Sequence, residues 1–137
     1  MTDPDVEIVR GAFEAFNRGD LEAGARVFDP SIEWRTAPNL PDAGTWRGED
    51  EVRRGLASVL EPWEELHVDV RDLIPAGEHR VLALVRFHAR GRETGLPVEG
   101  TNVDSLVWTL RDGKVVSVEM HSGTAAGFEA VGLEDRG

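Results

Sequence analysis

The sequence predicts an α+β fold in which a strongly curved antiparallel sheet wraps around N-terminal helices and leaves an internal pocket. Apolar residues recur at helical spacing in the first part of the chain, whereas from residue 66 onward they alternate with polar residues as in strands. Short turns join these later segments, which is typical of an antiparallel meander. With 137 residues and 40% hydrophobic content, residues 1–137 are predicted to form a single domain.

The composition restricts the partners that we expect. The formal net charge is −11 and Lys and Arg form no block, so neither nucleic acid nor an anionic membrane is an expected partner. No apolar run reaches the roughly 20 residues that span a bilayer, and no basic signal sequence follows Met1. We therefore expect a cytoplasmic protein.

Cysteine is absent, which excludes disulfides, thiolate nucleophiles and cysteine-ligated zinc. No group of His and carboxylate residues has the spacing of metal ligands, so we expect neither a metal site nor a cofactor. Tyrosine is absent as well, so no phenol can serve as an acid or a hydrogen-bond donor.

Two helices are predicted at the N-terminus. The first carries a buried stripe and begins with Asp3 and Pro4, which are typical of a helix N-terminus; its stripe consists of Val6, Val9, Phe13 and Phe16. Gly19 ends this helix, and Asp20 can cap a second one. The stripe of the second helix is predicted to contain Leu21, Ala25 and Phe28.

A short strand over 31–36 is predicted next, with Ile32, Trp34 and Thr36 on one face. Residues 37–48 read as a polar loop that could act as a lid, and a third helix follows, ending near Trp63. Four strands are then predicted over 66–74, 80–90, 98–110 and 115–122. A last helix over 124–131 precedes a loose tail at 132–137.

Four segments of this pattern carry a resemblance to a known family. They are 15–23 (AFNRGDLEA), 32–34 (IEW), 46–48 (WRG) and 107–116 (VWTLRDGKVV). Together with the order of elements, they resemble the nuclear transport factor 2-like (NTF2-like) superfamily, and most closely its SnoaL-like branch. The resemblance implies a cone-shaped fold with an internal cavity. It does not choose an activity, because the superfamily includes isomerases, epoxide hydrolases, polyketide cyclases, dehydratases and proteins that only bind.

The resemblance also implies where the catalytic residues of related enzymes would fall in this sequence. The base, the acid and the tyrosine of the ketosteroid isomerases would fall near Thr36, Leu106 and Ala12, none of which can transfer a proton. Steroid isomerase chemistry is therefore not expected. SnoaL-type cyclases use a His and an Asp to move a proton beside a carbonyl, which directs attention to the acids and histidines of the strands.

Asp104 is the carboxylate that we predict as a catalytic base. If Trp108 faces the cavity, alternation places Asn102, Asp104 and Leu106 on the same face. Burial near Trp34 and Trp108 would tune such a carboxylate toward a base that works near neutral pH. The alternative is an Asp at the strand edge, in water or paired with an arginine.

His88 and His121 are the other catalytic candidates, because an imidazole can shuttle protons near neutral pH. Alternation turns both outward, together with Arg86 and Glu119, which favours a surface or dimer-contact role instead. A β-bulge would reverse this assignment by one residue. The mixture of polar and apolar residues on this outer face predicts a homodimer formed by sheet-to-sheet contact.

The pocket is predicted to be lined by aromatic and apolar residues from several strands, with a loop residue as a lid. The predicted ligand-binding residues are Trp34, Thr36, Leu106, Trp108, Met120 and, in the loop, Trp46. Core packing is the alternative for the tryptophans. The sequence thus leaves two functions open: binding of a small hydrophobic molecule, for example a polyketide-like one, or a cofactor-free isomerase, cyclase or lyase.

Overall fold

The computed structural model describes residues 3–36, 44–61, 63–91, 97–99, 103–121 and 123–132. The predicted helices and strands occur in the predicted order, and a further short strand at 45–47 lies inside the predicted loop. The elements are α1 (Pro4–Asn17), α2 (Leu21–Ala25), β1 (Phe28–Arg35), β2 (Thr45–Arg47), α3 (Glu49–Leu60), β3 (Trp63–Pro75), β4 (Arg80–Gly91), β5 (Pro97–Glu99), β6 (Asp104–Arg111), β7 (Lys114–His121) and α4 (Ala125–Ala130). The α+β class is confirmed. Of the predicted tail, residues 133–137 lie outside the described part.

The caps of the first two helices form as predicted. The Asp3 carboxylate accepts hydrogen bonds from the Asp5 and Val6 backbone N–H groups at 2.9 and 3.3 Å, and that of Asp20 accepts from the Ala23 N–H at 3.0 Å. These side chains satisfy N–H groups that have no partner within a helix. Gly19 between the helices has a φ of 78°, which favours glycine, so the predicted corner is confirmed.

Two helix ends differ from the prediction. Phe28 begins β1 and does not complete α2, because its backbone pairs with Val115 of β7, a contact that helical spacing cannot reveal. Trp63 begins β3 and does not end α3, because it pairs with Gly91 of β4. In both cases, long-range strand pairing outweighs the local preference for a helix.

The strands form one curved sheet in the order β2-β1-β7-β6-β4-β3, with β5 paired to β4. Strands β3, β4, β6 and β7 pair with one another in antiparallel fashion, which confirms the meander. The sheet is nevertheless mixed, because β1 runs parallel to β7. The predicted strand 98–110 is two strands, β5 and β6. Bulges at Val70/Asp72 in β3 and at Thr109/Leu110 opposite β7 bend the sheet.

Alternation along the strands divides the apolar residues between two faces. On the inner face, Val81 and Val85 of β4 pack with α1 residues in the main core. On the outer face, Leu82 and Val107 pack with Val131, which directly follows α4. Gly127 lets α4 lie directly on β6, since any side chain there would collide with Ser105. The inner face of the sheet encloses a cavity together with α1, α2 and α3.

Candidate functional site

A cavity of about 110 Å³ lies between the inner face of the sheet and helices α1, α2 and α3. Its lining residues come from nine helices and strands and from Thr36, directly after β1, and they share an apolar character. They are Ala12, Phe13, Phe16, Leu21, Gly24, Phe28, Trp34, Thr36, Trp46, Leu56, Leu66, Val68, Phe87, Leu106, Trp108 and Met120. None of these side chains is titratable, and only the Thr36 hydroxyl and the indole N–H groups are polar.

All six predicted ligand-binding residues lie in this wall. Strand register explains how they come together. Val118 of β7 pairs with Trp34 on one side and with Trp108 on the other, so both indoles point to the same face. Met120 pairs with Leu106 one step further along. Their role in binding stays a prediction.

The indoles belong to an aromatic cluster with edge-to-face geometry. The Trp34 and Trp108 ring centroids are 5.9 Å apart with an interplanar angle of 75°. The ring centroids of Phe13 and Trp108 are 5.2 Å apart, and those of Phe28 and Trp34 are 6.3 Å apart. Such pairs typically add about 0.5–1.5 kcal/mol beyond the burial of their area. The cluster therefore holds one side of the cavity in a fixed shape.

Trp46 also lines the cavity. It was predicted to lie in a loop, but it lies in strand β2. It pairs with Trp34 across β1 and β2, and its ring lies over Gly55 of α3. A Cβ atom at Gly55 would meet the ring, so the glycine is what allows this close packing. Of the predicted lid over 37–48, residues 37–43 lie outside the described part. Of the remaining residues, 45–47 form β2.

Thr36 is polar but its hydroxyl is already engaged. The Oγ1 donates to the Gly44 carbonyl at 3.0 Å and accepts from the Gly44 N–H at 2.8 Å. The Thr36 backbone N–H also donates to the Gly44 carbonyl, at 2.9 Å. The residue therefore closes the strand end against Gly44, and its hydroxyl proton has an acceptor.

Asp104 lies at the start of β6, half-buried, and is not among the residues that line the cavity. Its Oδ1 accepts a hydrogen bond from the Gly123 N–H at 2.9 Å. The neighbouring Ser105 hydroxyl donates to the Gly123 carbonyl at 2.7 Å. Together these two side chains fasten the connection between β7 and α4. A catalytic role of Asp104 stays a prediction, and Asn102 lies outside the described residues.

His88 and His121 are also absent from the cavity wall. His88 faces His67 across the strands, with ring centroids 6.4 Å apart, and its Nε2 lies 4.0 Å from the Asp69 carboxylate. His121 Nε2 lies 3.5 Å from the Glu119 carboxylate, without the geometry of a hydrogen bond. The three predicted catalytic residues thus lie on three different strands, and none of them lines the cavity. Catalysis by these residues also stays a prediction.

The wall residues that α1, α2, α3, β3 and β4 contribute are not among those predicted from the sequence to bind a ligand. These include Phe13, Phe16, Val68 and Phe87. A signal was present, because Phe13 and Phe16 lie in the predicted apolar stripe of α1 and Phe87 lies on the predicted inner face of β4. Periodicity alone cannot separate a residue that fills the core from one that borders a cavity.

Within the described ranges, no helix combines the length and hydropathy that a bilayer span requires. In the same part of the chain, no three His, Asp or Glu side chains cluster as metal ligands would.

A curved mixed sheet that holds helices against its inner face defines the NTF2-like class of α+β proteins. Within that class, the model of the SnoaL-like domain matches residues 9–118, which is most of the chain. The protein belongs to the SnoaL-like domain family. The family prediction made from the sequence is therefore confirmed.

Similar proteins are found in several bacteria. An uncharacterised protein of Mycobacterium tuberculosis is 31% identical over 88 residues, covering 64% of this chain and 67% of the relative. The crystal structure of an NTF2-like protein from Burkholderia thailandensis has a TM-score of 0.76 at 30% identity and covers 95% and 98% of the two chains. TerC, co-crystallised with polyporic acid, has a TM-score of 0.76 at 22% identity and covers 95% and 99%.

Proposed function

We propose that this protein binds a small, uncharged, hydrophobic molecule in the cavity and that the cavity wall performs no acid-base chemistry on it. The observation that carries the proposal is the lining itself, in which no described residue is titratable. Concave apolar sites with few polar groups are the usual form of small-molecule sites in proteins. The example of TerC, which was co-crystallised with polyporic acid, supports occupancy of this fold by a small molecule.

The size of the cavity limits the size of the ligand. An engineered cavity of about 150 Å³ in another protein, lined by apolar side chains, stays dry and binds benzene. The cavity of about 110 Å³ is of the same order, so we expect a ligand, or the buried part of a larger polyketide-like one, of about one ring. Burial of apolar surface supplies about 25 cal/mol for each Å² removed from water.

The alternative function is a cofactor-free isomerase, cyclase or lyase, which membership of the SnoaL-like family keeps open. It requires a base within hydrogen-bond reach of the substrate, directly or through one water. Asp104, the preferred base, is instead bound to the Gly123 N–H and lies outside the wall. This arrangement supports binding over proton transfer.

We also propose that residues 1–137 act as one cytoplasmic domain and associate as a homodimer through the outer face of the sheet. That face carries the half-buried residues Leu84, Arg86 and His121. The Arg86 Nε and His121 Nε2 atoms are covered but lack hydrogen-bond partners among the described residues. A second copy of the same face could supply acceptors for them, as the self-complementary contact of a two-fold dimer requires.

The binding proposal is tested with toluene as the probe and two matched variants. Ala12 lines the cavity on α1, so Ala12→Leu should fill it, whereas Ala125→Leu makes the same change at an exposed position of α4. Toluene should raise the Tm of the wild type and of Ala125→Leu, because a ligand that binds only the folded state stabilises it. No rise in Tm for the wild type, or an equal rise for Ala12→Leu, would contradict the proposal.

A further inference from the structure

Two buried hydrogen-bond donors in the cavity wall have no acceptor. They are the indole Nε1–H groups of Trp34 and Trp108, and neither has a partner among the described residues. The two side chains are nearly inaccessible, with exposed fractions of 7% and 3%. Both rings line the cavity and lie against each other with centroids 5.9 Å apart. Two residues with unpaired donors therefore lie in contact in one wall, and both nitrogens are covered.

Such a pair is unusual in a folded protein. Roughly nine in ten or more of the buried polar groups in proteins have a partner, because an unpaired donor loses its bonds to water and gains nothing in return. Both nitrogens are shielded from solvent, so bulk water does not compensate for them. A molecule that brings an acceptor oxygen into the cavity would supply the missing partner.

The remaining wall groups define the other properties of that molecule. The Thr36 hydroxyl donates its proton to the Gly44 carbonyl, which leaves the indoles as the donors without an acceptor among the described lining residues. Among the described lining residues, no cationic side chain could pair with an anion, and no carboxylate could pair with a cation. A charged ligand would lose its hydration without compensation. The wall therefore favours a neutral molecule that accepts hydrogen bonds.

We propose, on the basis of the function proposed above, that the ligand is a neutral carbonyl compound whose oxygen accepts a hydrogen bond from Trp34 or Trp108. The covered position of the two nitrogens requires a small shift of the wall when the oxygen enters. Met120 lines the same cavity, and its unbranched side chain can make such a shift. The edge-to-face cluster with Phe13 and Phe28 keeps the two indole rings in place.

The test compares cyclohexanone with methylenecyclohexane, two compounds of the same skeleton that differ in carrying oxygen or CH₂. Affinities are measured by calorimetry for the wild type and for Trp34→Phe and Trp108→Phe, which keep an aromatic ring but remove the N–H. In at least one of these variants the ratio of ketone to alkene affinity should fall about three- to tenfold, the usual value of one hydrogen bond. Comparing ratios cancels the different hydration of the two compounds.

Trp46→Phe is the matched control, because Trp46 lines the same cavity but its nitrogen is not among the buried unpaired atoms. Its affinity ratio should equal that of the wild type. A second readout needs no variant of the two indoles: in the wild type, cyclohexanone should move the indole N–H proton resonance of Trp34 or Trp108 downfield, and methylenecyclohexane should not.

The outcomes separate this inference from the function on which it rests. If neither compound binds, the proposed binding function fails and the inference fails with it. If both bind, with the same affinity ratio in all variants and no downfield shift, the binding function stands and the carbonyl inference is overturned.

Discussion

Asp104 shows how one hydrogen bond changes the interpretation of a residue. The sequence predicts it inside a strand over 98–110, whereas it is the first residue of β6. Its Oδ1 accepts a hydrogen bond from the Gly123 N–H at 2.9 Å, which ties β6 to the connection before α4. Ser105 holds the same glycine through its carbonyl. The structure thus gives Asp104 a local role in stability.

We predict that Asp104→Ala lowers the free energy of unfolding by about 1–2 kcal/mol, because it leaves a half-buried backbone N–H without an acceptor. Asp104→Asn keeps an acceptor oxygen at the same position and should lose less than half of that amount. Urea unfolding of the three proteins measures both effects. Equal losses in the two variants would show that the hydrogen bond to Gly123 is not the cause.

The structure lowers the pKa of Asp29, an aspartate of β1. The Ser31 hydroxyl donates to its Oδ1 at 2.6 Å and the Ser31 backbone N–H donates at 2.9 Å, and these bonds lower the pKa of Asp29 below its ordinary value. The Arg111 guanidinium, 3.8 Å from Oδ2, acts in the same direction. Because the pKa of Asp29 is lower in the folded state than in the unfolded state, the ionised carboxylate stabilises the folded protein at pH values above the unfolded-state pKa. This stabilisation is lost as the pH falls through the folded-state pKa.

Ser31→Ala should therefore raise the pKa of Asp29 toward the ordinary value for aspartate, because the hydroxyl bond is the largest cause of the shift. The measurement is a titration of the Asp29 carboxyl carbon by NMR in both proteins. Arg111→Ala, which removes the weaker charge interaction, should raise the pKa less. A Ser31→Ala protein that titrates like the wild type would contradict this assignment.

Helix α1 is joined to the sheet by its last residue as well as by its apolar stripe. The Asn17 amide donates to the Val68 carbonyl at 2.9 Å and accepts from the Val68 N–H at 2.8 Å. Val68 lines the cavity on β3, so this pair of bonds fixes the distance between α1 and that part of the wall. The position of the cavity thus depends on a polar contact at the helix end.

We predict that Asn17→Ala destabilises the protein by about 2 kcal/mol, because both backbone groups of Val68 lose their partner. Arg18→Ala, at the next and exposed position, should change the stability by less than about 0.5 kcal/mol. Thermal or urea unfolding compares the two. A loss for Asn17→Ala no larger than that for Arg18→Ala would show that the contact does not hold α1 in place.

At the level of strands, the sequence predicts faces better than it predicts boundaries. Alternation alone placed Trp34, Leu106, Trp108 and Met120 on one side, and all four line the cavity. Applied to β7, the same rule places Val116 on the inner face with Val118 and Met120, whereas Val115 is the residue that is fully buried in the core. The bulge opposite Thr109 and Leu110 shifts the register there, and it depends on pairing between strands.

Contacts between distant parts of the chain account for what the sequence could not predict. The parallel pairing of Phe28 with Val115 joins residues that no local pattern connects, so the sequence predicts a start of β1 that is three residues too late. The hydrogen bond from the Gly123 N–H to Asp104 also joins distant residues. Alternation puts Asp104 on the same face as Leu106 and Trp108, but this bond holds its side chain outside the cavity wall. Local periodicity predicts the class of fold and most of the lining, whereas hydrogen bonds between elements decide which polar residues reach the cavity.

For the molecule as a whole, we predict a homodimer in solution, because the outer face combines half-buried charged residues with Leu84. Light scattering should give twice the monomer mass of 15.1 kDa. Leu84→Arg should reduce the mass to that of a monomer, since it adds charge within the contact. Because Leu84 also packs against Leu82 and Val107, circular dichroism is needed to check that the variant stays folded. A monomeric wild type at micromolar concentration would contradict the prediction.

We infer that a ligand binds in the apolar cavity between α1, α2, α3 and the sheet. Nuclear Overhauser contacts between toluene and the labelled protein test it most directly, because they report which protons lie within a few ångströms of the ligand. We expect contacts to the Met120 methyl group, the Leu106 methyl groups and the Trp108 ring, all of which belong to residues that line the cavity. Contacts confined to outer-face residues such as Leu84, or no contacts at saturating toluene, would contradict it.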